Sequence, residues 1–287
     1  FKQKTAYEIK ECDWSSDVCS SDLVRRILTD ALSAEPDIEV VAAAPDPYVA
    51  RDKILALKPD VVTLDIEMPR MDGVSFLRKL MRYHPLPVII ISSLTQASSQ
   101  AAVEALQAGA VEALAKPDGP YSVGELRQVL AQKIRAAATS KVRRPSTEET
   151  PALQVPVKPP PPLPSNSSKV SMIAIGASTG GTEAIQEVLT HLPANLPPIV
   201  IVQHIPPVFS KAFAERLNGL CAMEVKEAEH GDELRPGRAL IAPGGFHMLV
   251  KGHAGAYRVE LNSTLPPICY QRPAVDVLFQ SVAPLTG

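Results

Sequence analysis

Residues 60–73 read DVVTLDIEMPRMDG, an apolar run that ends at an acidic residue and passes into a loop. The run 61–64 is short, continuous and rich in valine, which is typical of a strand buried on both faces of a parallel sheet. Asp65 comes directly after it, so its carboxylate is expected at the carboxyl edge of the sheet, where parallel α/β folds bind ligands. The stretch therefore predicts an α/β fold with a functional edge.

Strands and helices alternate on both sides of this stretch. Strands are predicted at 38–43, 61–64, 88–92 and 111–114, and helices at 24–33, 47–57, 73–83, 100–108 and 123–138. Near-continuous Val/Ile/Leu strands separated by helices favour a doubly wound parallel sheet that is covered on both faces. Residues 24–138 are therefore expected to form a first α/β domain.

The segment 1–23 differs in character from the remainder of the chain. It shows no helix or strand period, and it lacks the basic start and apolar stretch of a signal peptide. The repeat-like SSDVCSSD at 15–22 looks foreign to the domain after it, and the chain does not begin with methionine. We expect this segment to be non-native, an artefact that replaces a genuine first strand.

A proline-rich linker is predicted at 139–168. Its eight prolines and missing apolar period favour extended polyproline segments, which tether two domains without forming a core. A PxxP ligand for another domain is the alternative reading of these prolines.

A second doubly wound, Rossmann-like α/β domain is predicted at 169–287. Strands at 170–176 and 199–203 alternate with helices at 182–192 and 210–217. Four short strands come next and look like a hairpin-rich insertion, at 224–227, 239–242, 247–251 and 257–261. A helix at 274–283 closes the pattern, and the sheet looks cut short after it.

Composition excludes several classes of protein. The chain has 287 residues, which suits two domains, and its formal charge of −2 gives no reason to expect a nucleic-acid or membrane partner. Its four cysteines include no CxxC pair, so a reducing, cytoplasmic location fits best. The apolar runs fall short of the roughly 18 residues that a membrane span needs.

Three chemical groups are predicted at one edge of the first sheet. Asp65 ends one strand, Ser92 ends the next, and Lys116 comes after the strand at 111–114. An acid, a hydroxyl and a lysine on one rim can form, hold and sense an acyl phosphate, because the lysine offsets the phosphoryl charge. Each residue alone is more often an ordinary loop residue.

Together these residues resemble a response-regulator receiver domain of flavodoxin-like fold, over about residues 24–137. The resemblance implies that Asp65 accepts phosphate from a chemotaxis histidine kinase, with Mg²⁺ as cofactor and Asp65 among its ligands. The family's acidic metal-binding pair falls at about Cys19 and Ser20, which carry no carboxylate. Because Mg²⁺ prefers oxygen ligands in octahedral geometry, we expect weak binding and poor phosphorylation.

A nucleophile turn is predicted in the second domain. GASTGG at 176–181 lies after a strand and before a helix, which is the context that GxSxG needs to expose Ser178. His204 ends the neighbouring strand, so its imidazole is expected at the same rim, in reach of the serine as a base. The backbone N–H of Thr179 is a candidate donor to an oxyanion.

Other interpretations of this turn remain open. GASTGG matches neither GxGxxG nor GxxxxGK[ST], so nucleotide binding is disfavoured, and a purely structural Ser/His pair is a further alternative. The α/β-hydrolase chain order of serine, acid and histidine also fits poorly, because only Glu183 and Glu187 lie between Ser178 and His204.

Four segments of the second domain resemble the catalytic domain of chemotaxis protein-glutamate methylesterases. They are IAIGASTGG at 173–181, VQHI at 202–205, IAPGG at 241–245 with His247, and RPAVDVLF at 272–279. The resemblance implies hydrolysis of glutamate methyl esters and deamidation of glutamines on chemoreceptors. Ser178 would be the nucleophile and His204 the base, and the esterase itself would use no cofactor.

The family's third catalytic residue is an aspartate in a glycine-rich loop that lies past residue 287, and Asp276 matches a different segment. We therefore expect this chain to be nearly inactive, since loss of a triad acid lowers turnover by a factor on the order of 10⁴. The resemblance also implies that the unphosphorylated receiver covers the Ser178 rim until Asp65 is phosphorylated. A receiver joined to a non-catalytic adaptor or nucleotide-binding module is the alternative, and a DNA-binding output is disfavoured because no basic recognition helix lies after the linker.

Overall fold

The structure is a computed structural model. It describes residues 29–30, 32–68, 71–116, 123–140, 142, 170–253 and 256–286, of which 96, 123–126 and 286 are described by their backbone alone, as are residues 3–8. The chain divides into two compact units, Phe1–Glu148 and Glu149–Gly287. Most of the predicted linker lies outside the described residues, as do residues 9–28, which include Cys19 and Ser20.

The first unit is a five-stranded parallel sheet with helices, which confirms the predicted fold class. Its elements are β1 Gln3–Glu8, β2 Ile38–Ala44, α1 Pro47–Leu57, β3 Val61–Asp65, α2 Gly73–Tyr83, β4 Val88–Ser92, α3 Gln96–Gln107, β5 Glu112–Ala115 and α4 Val123–Ala138. The strand order is β2-β1-β3-β4-β5, the flavodoxin-like arrangement. Strands β3 and β4 are buried along their whole length, as their apolar runs predict.

The position of β1 corrects one expectation. The sequence predicts no strand within residues 1–23, yet Gln3–Glu8 pairs in parallel with β2 on one side and β3 on the other. Within Gln3–Glu8 only Thr5 and Tyr7 have a strong preference for strands, so the local sequence pattern is weak. Hydrogen bonding to two neighbouring strands decides the conformation instead. Whether the segment is non-native stays a prediction.

The start of α3 lies four residues before the predicted one. Thr95 is its N-cap, and the Thr95 side chain accepts a hydrogen bond from the backbone N–H of Ser98. The prediction missed this start because the serines after Thr95 have low helix propensity. Capping offsets that preference and lets the helix begin at Gln96.

A buried ion pair joins β5 to α4. Lys133 Nζ donates to Glu112 Oε2, and the two side chains are almost fully buried, at 5% and 4% relative exposure. Neither residue lies at the carboxyl rim of the sheet. The pair therefore concerns the stability of the first unit.

Replacing Lys133 with methionine is expected to lower the free energy of unfolding of the first unit by about 3–5 kcal/mol, because the buried Glu112 carboxylate then loses the positive charge beside it. The double variant Lys133→Met/Glu112→Gln should recover part of the loss, since it leaves no buried charge. Urea unfolding followed by circular dichroism measures both. Equal stability of the single variant and the parent chain would contradict the prediction.

The second unit contains a four-stranded parallel sheet and a separate hairpin. Its elements are β6 Ile173–Ala177, α5 Gly181–Thr190, β7 Ile199–Gln203, α6 Phe209–Leu220, β8 Glu224–Glu227, β9 Arg238–Ile241, β10 His247–His253, β11 Ala256–Asn262 and α7 Val275–Thr286. The order of the parallel sheet is β6-β7-β9-β8. A core cluster that includes Val200, Leu240, Val250 and Leu278 joins this sheet to β10 and α7.

The expected hairpin-rich insertion is only half right. Strands β10 and β11 form an antiparallel hairpin, but β8 and β9 pair in parallel and extend the main sheet. Four-residue strands between Gly/Pro-rich turns carry too little sequence to show their pairing direction. The partner strand β7, far away along the chain, fixes it through its pairing with β9.

Within the described part of the chain, no helix combines the length and the apolar character that crossing a membrane requires.

Candidate functional sites

Ser178 lies in the turn between β6 and α5. Strand β6 ends at Ala177, and α5 begins at Gly181 after Gly180, which has φ of 75°. That left-handed conformation favours glycine and lets the chain reverse in three residues. Ser178 is consequently held at the carboxyl edge of the sheet, just ahead of a helix amino terminus.

His204 lies beside Ser178 because β7 is the neighbour of β6. The register pairs Ala177 with Gln203, so the next residue of each strand reaches the same edge. The backbone N–H of His204 donates to the carbonyl of Ala177 at 3.1 Å. His204 Nδ1 lies 3.1 Å from Ser178 Oγ, within hydrogen-bond distance. The structure thus brings the predicted pair together.

Asp65 lies at the carboxyl edge of the first sheet, as predicted. Lys116 Nζ is 2.8 Å from Asp65 Oδ2, and the Asp65 side chain is 9% exposed. Burial raises the pKa of the Asp65 carboxyl above its ordinary value, although the ion pair with Lys116 acts in the opposite direction. An acid beside a lysine is the pairing that formation of an acyl phosphate uses, because the lysine offsets the phosphoryl charge.

Comparison with known proteins finds one family for each unit. Residues 173–287 match the family described as CheB methylesterase, and residues 20–130 match the response regulator receiver domain. Protein-glutamate methylesterase/protein-glutamine glutaminase 2 of Syntrophus aciditrophicus is 53% identical over 272 residues, covering 94% of this chain and 78% of that protein. Protein-glutamate methylesterase/protein-glutamine glutaminase of Syntrophotalea carbinolica is 50% identical over 270 residues, covering 93% of this chain and 76% of that protein.

The chain belongs to the protein-glutamate methylesterase/protein-glutamine glutaminase family.

Two solved structures from Thermotoga maritima are also similar. The CheB methylesterase catalytic domain is 40% identical, with a TM-score of 0.39, and the match covers 42% of this chain and 63% of that one. The response regulator domain of CheB is 33% identical, with a TM-score of 0.42, and the match covers 49% of this chain and 99% of that one.

Two further predicted site residues of this methylesterase family member, Thr179 and Ser92, lie next to the elements described above. Thr179 comes after Ser178 within the turn and is partly exposed. Asp276, which the sequence analysis did not assign to the site, is exposed in the first turn of α7. Ser92 ends β4, next to the strand of Asp65, and is fully buried. Its hydroxyl makes a long 3.5 Å hydrogen bond to the carbonyl of Ser93.

His247, which the family resemblance included without a role, is fully buried away from solvent. Its Nδ1 accepts from the backbone N–H of Ala274 at 3.2 Å, and its Nε2 lies 3.1 Å from the carbonyl of Pro266. In this arrangement Nδ1 is the acceptor and Nε2 is the donor. His247 therefore holds the loop before α7 in place.

Glu67 is a residue of the first rim that the sequence analysis missed. Its Oε1 accepts from the hydroxyls of Ser93 and Ser98 at 2.6 and 2.8 Å, and Lys116 Nζ lies 3.2 Å from its Oε2. The hydrogen bond from Ser93 is the main cause that lowers the pKa of Glu67. Its spacing of two residues after Asp65 was the only sequence signal.

The described residues do not complete an Mg²⁺ site. Asp65 and Glu67 supply carboxylates at the first rim, but Glu67 is already engaged by two hydroxyls and Lys116. In the described part of the chain no group of three His, Cys, Asp or Glu residues is placed to hold a metal ion. Mg²⁺ is usually bound through one or two carboxylates while waters complete its octahedral shell, and Asp65, which is paired with Lys116, would be a weak ligand for it.

Gln203 is the missed residue of the second site. It precedes His204 directly, and its side chain is fully buried beneath the turn that carries Ser178. The sequence analysis named only His204 at the end of this apolar strand. Gln203 was counted as the last residue of the strand, and no pattern marked it as part of the site.

Proposed function

We propose that this chain hydrolyses glutamate methyl esters, and deamidates glutamine side chains, on chemoreceptors in the cytoplasm. The observation that carries the proposal is the 3.1 Å contact between His204 Nδ1 and Ser178 Oγ at a strand–turn–helix junction. The names of the similar proteins from Syntrophus aciditrophicus and Syntrophotalea carbinolica give the same activity.

In the first step Ser178 Oγ attacks the carbonyl carbon of the ester, and His204 Nδ1 takes the hydroxyl proton. An imidazole that accepts at Nδ1 carries its own proton on Nε2, so the attack forms an imidazolium. Collapse of the tetrahedral intermediate breaks the bond to the methoxy oxygen. The imidazolium returns a proton to that oxygen, methanol leaves, and Ser178 is left as a glutamyl ester.

In the second step water attacks the glutamyl ester while His204 takes a proton from the water. The serine oxygen then leaves with the proton that the imidazolium returns, which regenerates Ser178 and releases a glutamate carboxylic acid that ionises. With glutamine as the substrate the leaving group of the first step is ammonia. Ser178 and His204 therefore have the same roles in both reactions.

The negative oxygen of each tetrahedral intermediate needs hydrogen-bond donors. Ser178 precedes a helix that begins at Gly181, so backbone N–H groups and the positive end of the helix dipole are near the reacting carbon. We assign the N–H of Thr179, directly after the nucleophile, to this role.

Control of the esterase is proposed to come from the first unit. Asp65 accepts a phosphoryl group from a histidine kinase, and phosphorylation raises the rate of ester hydrolysis. Lys116, within 2.8 Å of Asp65, would offset the added charge, and Ser92 would contact a phosphoryl oxygen. Mg²⁺ would have to find its remaining ligands elsewhere, so we expect it to bind weakly.

A fluorophosphonate probe tests the proposed nucleophile. It is expected to label the folded chain at Ser178, because an activated serine displaces fluoride and an ordinary serine does not. The exposed control Ser263→Ala should be labelled like the parent chain. A folded chain that stays unlabelled, or a label that mass spectrometry maps to another serine, favours the non-catalytic adaptor instead.

A further inference from the structure

The side chain of Gln203 connects the backbones of the two reactive residues. Its Nε2 donates to the carbonyl of Ser178 at 2.9 Å and to the carbonyl of His204 at 3.4 Å. Gln203 is the last residue of β7 and has no exposed surface, so solvent does not compete for these bonds. One amide thus bridges the ends of two neighbouring strands.

The carbonyl of Ser178 receives a second donor as well. The backbone N–H of Gly181 donates to it at 2.7 Å, so Gly181 and Gln203 together hold this oxygen toward the interior of the turn. A trans peptide directs its C=O and N–H groups to opposite sides. Fixing the carbonyl of Ser178 therefore directs the N–H of Thr179 away from Gln203, and that N–H is the donor assigned to the oxyanion.

The surroundings of Gln203 leave its amide little freedom. A Cβ atom added to Gly181 would lie 2.1 Å from Gln203 Oε1 and 2.7 Å from the Cβ of Ala177. The turn therefore needs glycine at 181 so that the amide can lie flat beneath it. The shape of the turn and the position of the amide depend on each other.

The amide of Gln203 also has a cost for the fold. Its Oε1 is buried and has no hydrogen-bond partner within the described part of the chain. Buried acceptors normally have a partner, because leaving one without a partner destabilises a protein. An apolar side chain of the same length would avoid this cost, so packing alone does not explain why an amide stands here.

We propose that Gln203 is a positioning residue of the esterase, which orients the Ser178–Thr179 peptide and holds the strand ends of Ser178 and His204 together. The inference rests on the proposed serine mechanism. Gln203 touches no reacting atom, and it acts through the peptide that carries the oxyanion donor.

The test compares Gln203→Met with the parent chain in fluorophosphonate labelling of Ser178. Methionine keeps the length of the side chain and removes the donor, so the second-order rate of labelling is expected to fall about 10- to 100-fold. The thermal unfolding midpoint should stay close to that of the parent chain, because the unpaired Oε1 is removed as well. Gln280→Met, on the exposed face of α7, is the matched control and should change neither.

Gln203→Glu gives a readout that a merely structural role would not move. A protonated carboxyl donates one hydrogen bond to the carbonyl of Ser178, whereas a carboxylate donates none. The ratio of its labelling rate to that of the parent chain is therefore expected to fall as pH rises. Both rates are measured at each pH under conditions where circular dichroism shows that both proteins are folded.

The outcomes separate the two proposals. If the parent chain is not labelled, the serine mechanism fails. If the parent is labelled while Gln203→Met reacts at the same rate, or Gln203→Glu keeps a constant ratio across pH, the role of Gln203 is wrong. The role is also wrong if Gln203→Met has a lower thermal unfolding midpoint but is labelled at the parent rate while it is folded, since Gln203 would then be only structural. If Gln203→Met does not fold, the pH dependence of Gln203→Glu decides.

Discussion

Replacing Ser178 with alanine is expected to lower the rate of methanol release from methylated receptor by at least about 100-fold, because removal of a serine nucleophile leaves only binding and oxyanion stabilisation. The effect should appear in kcat, with KM little changed, since Ser178 acts in the chemical step. Gas chromatography of released methanol measures the rate. The exposed variant Ser263→Ala is the matched control and should retain the rate of the parent chain.

The companion variant His204→Gln is expected to lose nearly as much, and Ser178→Ala/His204→Gln no more than the larger single loss. Two residues that act as one unit give such non-additive losses. His253→Gln, an exposed histidine at the end of β10, should leave the rate unchanged. Additive losses from Ser178→Ala and His204→Gln would mean that the 3.1 Å contact does not transfer a proton, and the serine mechanism would be wrong.

Much of the fold follows from local sequence because the central strands are short and apolar. The runs at 61–65, 88–92 and 199–203 are fully buried, and their patterns predict them to within one residue. Strand β1 and the pairing direction of β8 do not follow in this way. Each is fixed by hydrogen bonds to strands that lie far away along the chain, which no local pattern contains.

The reactive pair was predictable for a physical reason. Neighbouring parallel strands end at one edge of a sheet. A serine directly after one strand and a histidine directly after the next therefore lie side by side when the last residues of the two strands are paired. Ala177 and Gln203 are paired in this way. Gln203 and Glu67 were missed because their roles depend on side-chain direction. The side chain of Gln203 lies beneath the turn that carries Ser178, and the side chain of Glu67 points toward Ser93 and Ser98.

Replacing Asp65 with asparagine is expected to abolish covalent phosphorylation by acetyl phosphate, because an amide cannot form the acyl phosphate. Phosphate-affinity electrophoresis and mass spectrometry of the Asp65 peptide measure the product. Asp60→Asn, an exposed acid just before β3, is the matched control and should be phosphorylated like the parent chain. Labelling of Asp65→Asn to the level of the parent would show that another residue is the acceptor.

The pH dependence of that phosphorylation follows from the burial of Asp65. Only the carboxylate attacks acetyl phosphate, and burial raises its pKa, so the rate should climb with pH to a midpoint above that of an ordinary aspartate.

A carboxyl whose pKa is raised by folding stabilises the fold while it is protonated, and that stability is lost as pH rises through the raised pKa. Asp65→Asn should therefore unfold at a higher temperature than the parent chain at neutral pH, and the difference should shrink as the pH is lowered. If Asp65→Asn instead unfolds at a lower temperature than the parent chain at neutral pH, the ion pair with Lys116 outweighs the burial of Asp65.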